Sequence, residues 1–457
     1  TFSSDIPDIS AEHIHLPESS LNSYKQFLHN DEQHLQTVRN SLLRINKFRR
    51  DVLEEGLTAA QNSRQLSKVH LSHELVAGDL LYLMAGWVRA DKTEALLEYL
   101  EQSGIFYEME EPAFEDDVPV EITNNSYTSL FEPILRMYSL PNYHDIDPSV
   151  FFAPFFMLFF GLCLGDGGYG LIVLAAGLML TKKGNGDMQN YGKLAVWLGL
   201  ATVVCGLATG TFFGINLAEQ NWAFLAPLRK YFLSDQGVGP VMGYSPMMLI
   251  SVALGFIQVM LGMLLKAGKA WKNYGFAYAI GTLSWFTALI VLIVLFGLPL
   301  LGISLPVVLT YILAVLLVLA VIGIFLYNNP AAYKNPITGP LINFGAGLWS
   351  AYGMATGLLG DLLSYIRLFA LGLTGGVLGG VFNSLAIDMT AALPVYVRWL
   401  PFIVILLFGH GITFLLSMIS AFVHPMRLTF VEFFKNADFE GGGHPYEPFK
   451  EIKNSIN

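Results

Sequence analysis

FFAPFFMLFFGLCLGDGGYGLIVLAAGLML, residues 151–180, is an almost unbroken apolar stretch interrupted at its centre by Gly165, Asp166, Gly167, Gly168 and Gly170. A bilayer core of about 30 Å is crossed by roughly 20 helical residues. The stretch is long for one crossing, and its glycine-rich centre is poor helix. Read as one span, it carries Lys182, Lys183 and Lys193 to the side opposite the N-terminal region. Read as a hairpin of two short helices, it returns them to that region's own side.

Further apolar runs lie near 191–213, 246–266, 275–298, 304–327, 362–387 and 396–424. The excess of Lys and Arg in cytoplasmic loops separates the two readings. With the hairpin, the inside loops hold Lys182, Lys183, Lys193, Lys266, Lys269, Lys272, Lys334, Arg427 and Lys435, and the outside loops hold only Arg229, Lys230 and Arg398. The expectation is a mainly α, polytopic membrane protein with about eight transmembrane helices over residues 148–427 and both termini cytoplasmic. The segment 341–358, LINFGAGLWSAYGMATGL, reads either as an interfacial helix or as a cytoplasmic extension of the seventh span.

Composition agrees with this reading. Hydrophobic residues make up 53% of the 457, charged residues 14%, and the mean hydropathy is +0.50, against about 25% charged in soluble domains. Residues 1–150 hold 25 Asp and Glu against 11 Lys and Arg, net −14, whereas residues 151–457 hold 11 against 15, net +4. An acidic soluble part therefore precedes a nearly neutral apolar one, which argues against nucleic acid as a partner. Thr1 stands where an initiator Met would, as in a processed product or a fragment, and the polar residues after it give no secretory signal.

The cytoplasmic part, residues 1–147, divides again. Over 19–75, Leu35, Val38, Leu42, Leu43, Ile45, Phe48 and Val52 recur at three- and four-residue spacing in polar sequence, the narrow stripe of a coiled-coil-like helical arm. Residues 80–110 read as strand, helix, strand, a small α/β module with Asp91 capping the helix and Gly104 ending it. Residues 428–457 form a cytoplasmic tail.

Ionisable residues inside apolar spans each need a reason. Arg367 sits in GDLLSYIRLFALGLTGGVLGGVF and keeps its proton. It faces a carboxylate, a water-filled cavity or another subunit, or else snorkels to the interface or pairs with Asp361. Gly372, Gly375, Gly376, Gly379 and Gly380 follow at three- and four-residue spacing, a smooth face for a partner helix or for packing within the chain. Arg427 ends the last span next to His424 and five residues before Glu432. Asp166 reads as the cap of a broken helix end or as the lining of an aqueous path, and His410 as a core residue or a relay. Cys163 and Cys205 offer no metal or disulfide spacing. Without a GxxxxGKS/T loop or an HExxH motif, the chain has no visible catalytic residues for nucleotide hydrolysis, no metal site and no cofactor.

Three long motifs in order, PNYHDIDPSVFFAPFFMLFFGLCLGDGGYG, GDLLSYIRLFALGLTGGVLGGVFNSLA and AFVHPMRLTFVEFFKNADFEGGGHPYEPF, resemble subunit I of bacterial and archaeal V/A-type ATPases, equivalent to subunit a of vacuolar ATPases. The likeness covers residues 120–450, and LYLMAGWVRADKTEALLEYL is similar to the family's soluble domain. The resemblance implies a non-catalytic membrane stator, in a bacterial or archaeal plasma membrane, that forms two ion half-channels against a rotating proteolipid ring. It couples H+ or Na+ movement to ATP hydrolysis or synthesis. Arg367 matches the family's ring-facing Arg and Arg427 its second functional Arg. Within that frame Asp166, Ser364, His410, His424 and Glu432 are the candidate half-channel lining, and Gly372, Gly375, Gly376 and Gly379 the candidate ring-facing small residues. Eukaryotic members carry further acidic and His residues where this chain has Gly353, Gly375 and Ser417, so their half-channel details do not transfer.

The implied partners are the proteolipid ring, membrane lipid and, through the arm, peripheral-stalk subunits and the central-stalk and soluble ATPase sector. The family's cytoplasmic half is normally longer, which points to an N-terminal piece upstream. Pro425 and Met426 depart from the family motif and are expected to kink the last helix. A second reading is a secondary transporter that holds a substrate carboxylate on Arg367 and uses the GDGGYG break as a midplane site.

Overall fold

The computed structural model describes residues 21–76, 81–220, 227, 231–233, 238–241, 243–300, 304–328, 330, 333 and 338–449. Residues 19–20 of the expected arm, and Arg229, Lys230 and Lys334 of the charge count, lie outside the described residues. Two units form, residues 1–108 with 447–457 and residues 109–446. The division falls ahead of the 147/148 boundary expected from composition.

In the first unit, α1 (Leu21–Ser72) is one continuous helix of 52 residues, about 78 Å at 1.5 Å per residue. Its apolar stripe is solvent-facing, with Leu35, Val38, Leu42 and Leu53 all exposed. β1 (His73–Val76) and β2 (Leu81–Met84) pair antiparallel, His73 opposite Met84. After a 3-10 turn, Ala90–Lys92, comes α2 (Thr93–Gln102), and Gly104 at φ +64 ends it. The strand expected over 105–110 does not form: Phe106 is 94% exposed, and a lone extended segment with no ladder to join stays irregular. Asp91 does not cap α2 either. The forked Arg89 guanidinium donates to both of its oxygens at 2.9 and 3.0 Å, a charge-assisted pairing that outcompetes a cap and holds its carboxyl below the ordinary value.

The second unit begins with a platform. A 3-10 turn, Thr128–Phe131, and α3 (Glu132–Tyr138) bury Leu130, Phe131, Ile134 and Leu135. Isolated bridges tie Val120 to Pro445 and Leu140 to Gly443, so the C-terminal segment packs with residues 109–147.

α4 (Ser149–Leu164) is apolar on every side, as a buried helix should be, and Phe152, Phe156, Phe159 and Phe160 are fully buried. Gly165, at φ +60, stops it. α5 (Gly167–Lys183) and α6 (Asp187–Thr209) follow. A Cβ added at Gly170, Gly177, Gly192, Gly199 or Gly206 would strike the partner helix at 2.8 Å or less, so a seven-residue glycine spacing sets this close antiparallel pair. α4 runs parallel to α6. Tyr127 meets both Met157 and Trp197 near the middle of their helices, and four residues further along each, Gly161 abuts Ala201 and Cys205. The chain thus turns back at Gly165–Asp166, and Lys183 returns to the level of Ser149, the hairpin reading of this stretch.

A two-residue hairpin, β3 (Thr211–Phe212) and β4 (Ile215–Asn216), follows α6. α7 (Pro246–Tyr274) and α8 (Phe276–Leu292) come next, α8 passing through a π-helical stretch, Ile293–Gly297, into α9 (Leu298–Leu300). α10 (Val307–Leu326) leads to α11 (Thr338–Thr390), a single helix of 53 residues that takes in 341–358 as an extension of the seventh apolar run. α12 (Val395–Arg427) continues past Pro425 into a π-helical stretch, Leu428–Phe433, and α13 (Phe434–Ala437). Among the described residues six helical runs are long and apolar enough to cross a membrane, with α4 and α5 shorter at 16 and 17 residues. The core lies around α4 and α6, and α11 and α12 carry exposed apolar faces at its edge.

Candidate functional site

Arg367 lies near the middle of α11. Residues at three- and four-residue spacing share a helix face. On one flank of Arg367's the residues Leu363, Ala370, Thr374, Val377 and Val381 are exposed, whereas on the other Ser364 is buried and Leu371 half-buried, so Arg367 stands at the edge of the exposed face. The guanidinium is half-buried, and no described residue makes a hydrogen bond or ion pair with it. Asp361 does not pair with it. That carboxylate, 5% exposed, accepts from Lys435 Nζ and Asn436 Nδ2, each at 2.9 Å. The nearby acidic group is therefore already matched.

The glycines turn the other way. Gly372 backs onto the Leu162 carbonyl, Gly375 onto Ser417, and Gly379 onto Gly214 and Tyr169. Gly376 is half-buried beside Thr211. The face assigned from sequence to a ring partner is thus the inward face of α11, and the α4–α5 corner occupies it. The outward face is branched and apolar.

Buried polar atoms collect on the side of Arg367 nearer the C-terminal end of α12. Glu432, on the π-helical stretch, is 2% exposed and keeps one carboxylate oxygen, Oε2, buried without a partner. The π-helical stretch follows Pro425, where a kink was expected, and its altered register aims Glu432 inward. His424 lies within electrostatic reach of both Arg367 and Arg427, and its Nδ1 is also buried and unpartnered. From α7, Gln258 accepts from the Tyr365 hydroxyl at 2.9 Å and leaves its Nε2 buried without a bond. Each such atom costs about 1–3 kcal/mol, so these three mark places where stability has been given up. Arg427 is exposed and has no ion pair among the described residues.

Asp166 and His410 belong to a second cluster. Asp166 is fully buried, and its oxygens accept four backbone amides, from Gly168, Tyr169, Phe213 and Gly214. It caps α5 and pins the β3–β4 turn, which closes the GDGGYG break. His410 lies 2.8 Å from the Tyr169 hydroxyl and 3.0 Å from Asn383 Oδ1. Sequence reading missed Gln258, Asn383, Lys435 and Asn436. Gln258 and Asn383, each a polar residue within an apolar run, were the available signals.

These features can be set against known proteins. The sequence model of the V-type ATPase 116kDa subunit family matches residues 10–194 and 357–451, which hold the α4–α5 corner, Arg367 and Glu432. The chain belongs to that family. The A-type ATP synthase subunit I of Methanocaldococcus jannaschii is 29% identical over 443 residues, covering 91% of this chain and 62% of the relative. The V-type ATP synthase subunit I of Borreliella burgdorferi is 25% identical, covering 88% and 65%, and that of Chlamydia pneumoniae 27%, covering 98% and 72%. This chain thus spans roughly two-thirds of the length of such relatives. It is a V-type ATPase 116kDa subunit family member with several helices long and apolar enough to cross a membrane. Family membership and the closed break together set the secondary-transporter reading aside.

Proposed function

We propose that this chain is the non-catalytic membrane stator of a rotary V/A-type ATPase. It forms two offset half-channels against a proteolipid ring and couples H+ or Na+ translocation to ATP hydrolysis or synthesis in a soluble sector. The observation that carries the reading is Arg367, a permanent charge at the edge of an exposed apolar face with no counter-charge among the described residues. Against lipid alone such a charge is costly, and against a ring carboxylate it is matched. There it favours the ionised carboxylate, so each arriving site gives up its ion to one half-channel, and the same charge bars direct passage between the channels.

Helix length supports a tilted pair facing a partner. α11 at 53 residues and the α12–α13 run at 43 measure about 80 and 65 Å, far more than an upright crossing needs. Ser364, His424 and Glu432 line the inner half-channel in this reading, with Arg427 beside them. Asp166 and His410, whose bonding capacity is taken up within the chain, support the outer half. α4 and α5 complete eight spans with both termini cytoplasmic, in a bacterial or archaeal plasma membrane. The α1 arm reaches the peripheral stalks and the soluble sector.

Cysteine crosslinking tests the ring-facing surface, because Cys163 and Cys205 are both buried. Leu363→Cys and Val377→Cys should crosslink to a cysteine beside the ring carboxylate, and Gly372→Cys should not. Crosslinks from Gly372→Cys alone would reverse the assignment.

A further inference from the structure

His410 is held by two side chains whose hydrogen-bonding roles fix its tautomer. Asn383 Nδ2 donates to the Phe213 carbonyl at 2.8 Å, so Oδ1 is the atom turned to His410. An amide oxygen only accepts, which puts the imidazole hydrogen on Nε2. Nδ1 of the neutral ring is then bare and accepts a hydrogen bond from the Tyr169 hydroxyl. The chain ends on a side-chain amide and a backbone carbonyl, neither of which passes a proton on. Its Tyr169 end is closed, fully buried with the rings of Phe213 and Phe414 packed against it, and His410 and Asn383 are half-buried. Thr413, beside Tyr169, donates its own proton to the Gly409 carbonyl. Asp166, the charged group within electrostatic reach of the imidazole, is saturated by amides.

We propose that Tyr169, His410 and Asn383 form a neutral latch that fastens α12 to α5, α11 and the β3–β4 turn, and that it holds the α11–α12 pair in register beyond Arg367 without carrying protons. The latch sits 16 residues beyond Arg367, about 24 Å along α11. The inference rests on the stator reading, in which a moving ring loads the exposed faces of exactly these two helices. The four-residue connection 391–394 and the Arg398 Nε bond to Thr390 Oγ1 at 3.3 Å join the helices at one end, and Asp361 with Lys435 and Asn436 ties them at the other. Between these ties the latch fixes their mutual rotation, and without it ions would slip past Arg367. His410 is thus a positioning residue, and the outer ion route runs elsewhere.

The test uses the assembled complex in vesicles, with ATP hydrolysis and ATP-driven ion uptake measured together. Asn383→Leu and the smaller Tyr169→Phe should keep hydrolysis and lower the ions moved per ATP by about five-fold, the population shift that one lost hydrogen bond produces. His410→Gln offers one acceptor and one donor at similar spacing. It should retain most of the ratio and leave the dependence of uptake on pH unchanged between about pH 5 and 8, where an unperturbed histidine titrates. A purely architectural role would reduce the yield of complex and leave the ratio at the wild-type value in Asn383→Leu and Tyr169→Phe. A relay would stop uptake in His410→Gln. Either result overturns the latch. Arg367→Ala in the same vesicles separates the failures: uptake that survives it counts against the stator reading itself, whereas uptake lost there but normal in Asn383→Leu counts against the latch alone.

Discussion

Lys435 Nζ lies 2.9 Å from the Asp361 carboxylate, and this pairing leaves Arg367, six residues further along α11, without a counter-charge. The same contact ties the C-terminal segment to the helix that carries the arginine. Lys435→Met should leave Asp361 held only by Asn436 and destabilise the subunit by about 1–2 kcal/mol, as for a partly exposed charge-assisted bond. Thermal unfolding of the purified complex would show it as a lower midpoint. An unchanged midpoint would mean that the pair contributes nothing.

Asp166 offers a sharper loss. Asp166→Ala strands four amide groups, two of them buried and two partly buried, at about 1–3 kcal/mol for each buried one, a large share of a domain's stability. The variant should fail to accumulate in the membrane, and Asp166→Asn, which keeps an acceptor oxygen, should accumulate to an intermediate level. Quantitative blotting of membranes distinguishes these outcomes from a role in ion passage, in which the alanine variant would accumulate normally and only transport would suffer.

The two faces of α11 should respond oppositely to small changes. A Cβ on Gly372 meets the Leu162 carbonyl oxygen and one on Gly379 meets the backbone of Gly214, so Gly372→Ala and Gly379→Ala force apart a packed interior, typically at about 1–3 kcal/mol. Val377→Ala, on the exposed face, should leave the midpoint within about 0.5 kcal/mol of wild type. Melting curves of the three variants check the assignment of inside and outside.

Glu432 holds a buried oxygen with no partner. Glu432→Gln removes the charge and keeps the shape, so the complex should be at least as stable, because burying an unpaired charge is unfavourable. Ion uptake should nevertheless fall several-fold with assembly intact. Reduced stability together with normal uptake would assign Glu432 to packing alone.

Much of this was legible in the sequence for identifiable reasons. Gly165 and Asp166 announced the turn because glycine and a short acceptor suit a helix end, and Arg367 stood out because charge is rare between apolar runs. Legibility ended where a distant partner decides the outcome. Helical periodicity grouped Gly372, Gly375 and Gly379 on one face but could not say that the α4–α5 corner occupies it. Asp91 looked like a cap until Arg89, two residues away, took both of its oxygens. Asp361 depends on Lys435 and Asn436, which lie 74 and 75 residues along the chain, a pairing that no local pattern encodes.

The central claim is that the unmatched charge of Arg367 is the barrier between two half-channels. The most direct measurement is ATP-driven ion uptake into vesicles carrying the assembled complex, with Arg367 replaced by Lys and separately by Ala, and with assembly checked by co-purification. The account predicts that Arg367→Ala assembles and moves no ions, and that Arg367→Lys, a more strongly hydrated point charge, is severely impaired. Normal uptake by Arg367→Ala in an intact complex would contradict it.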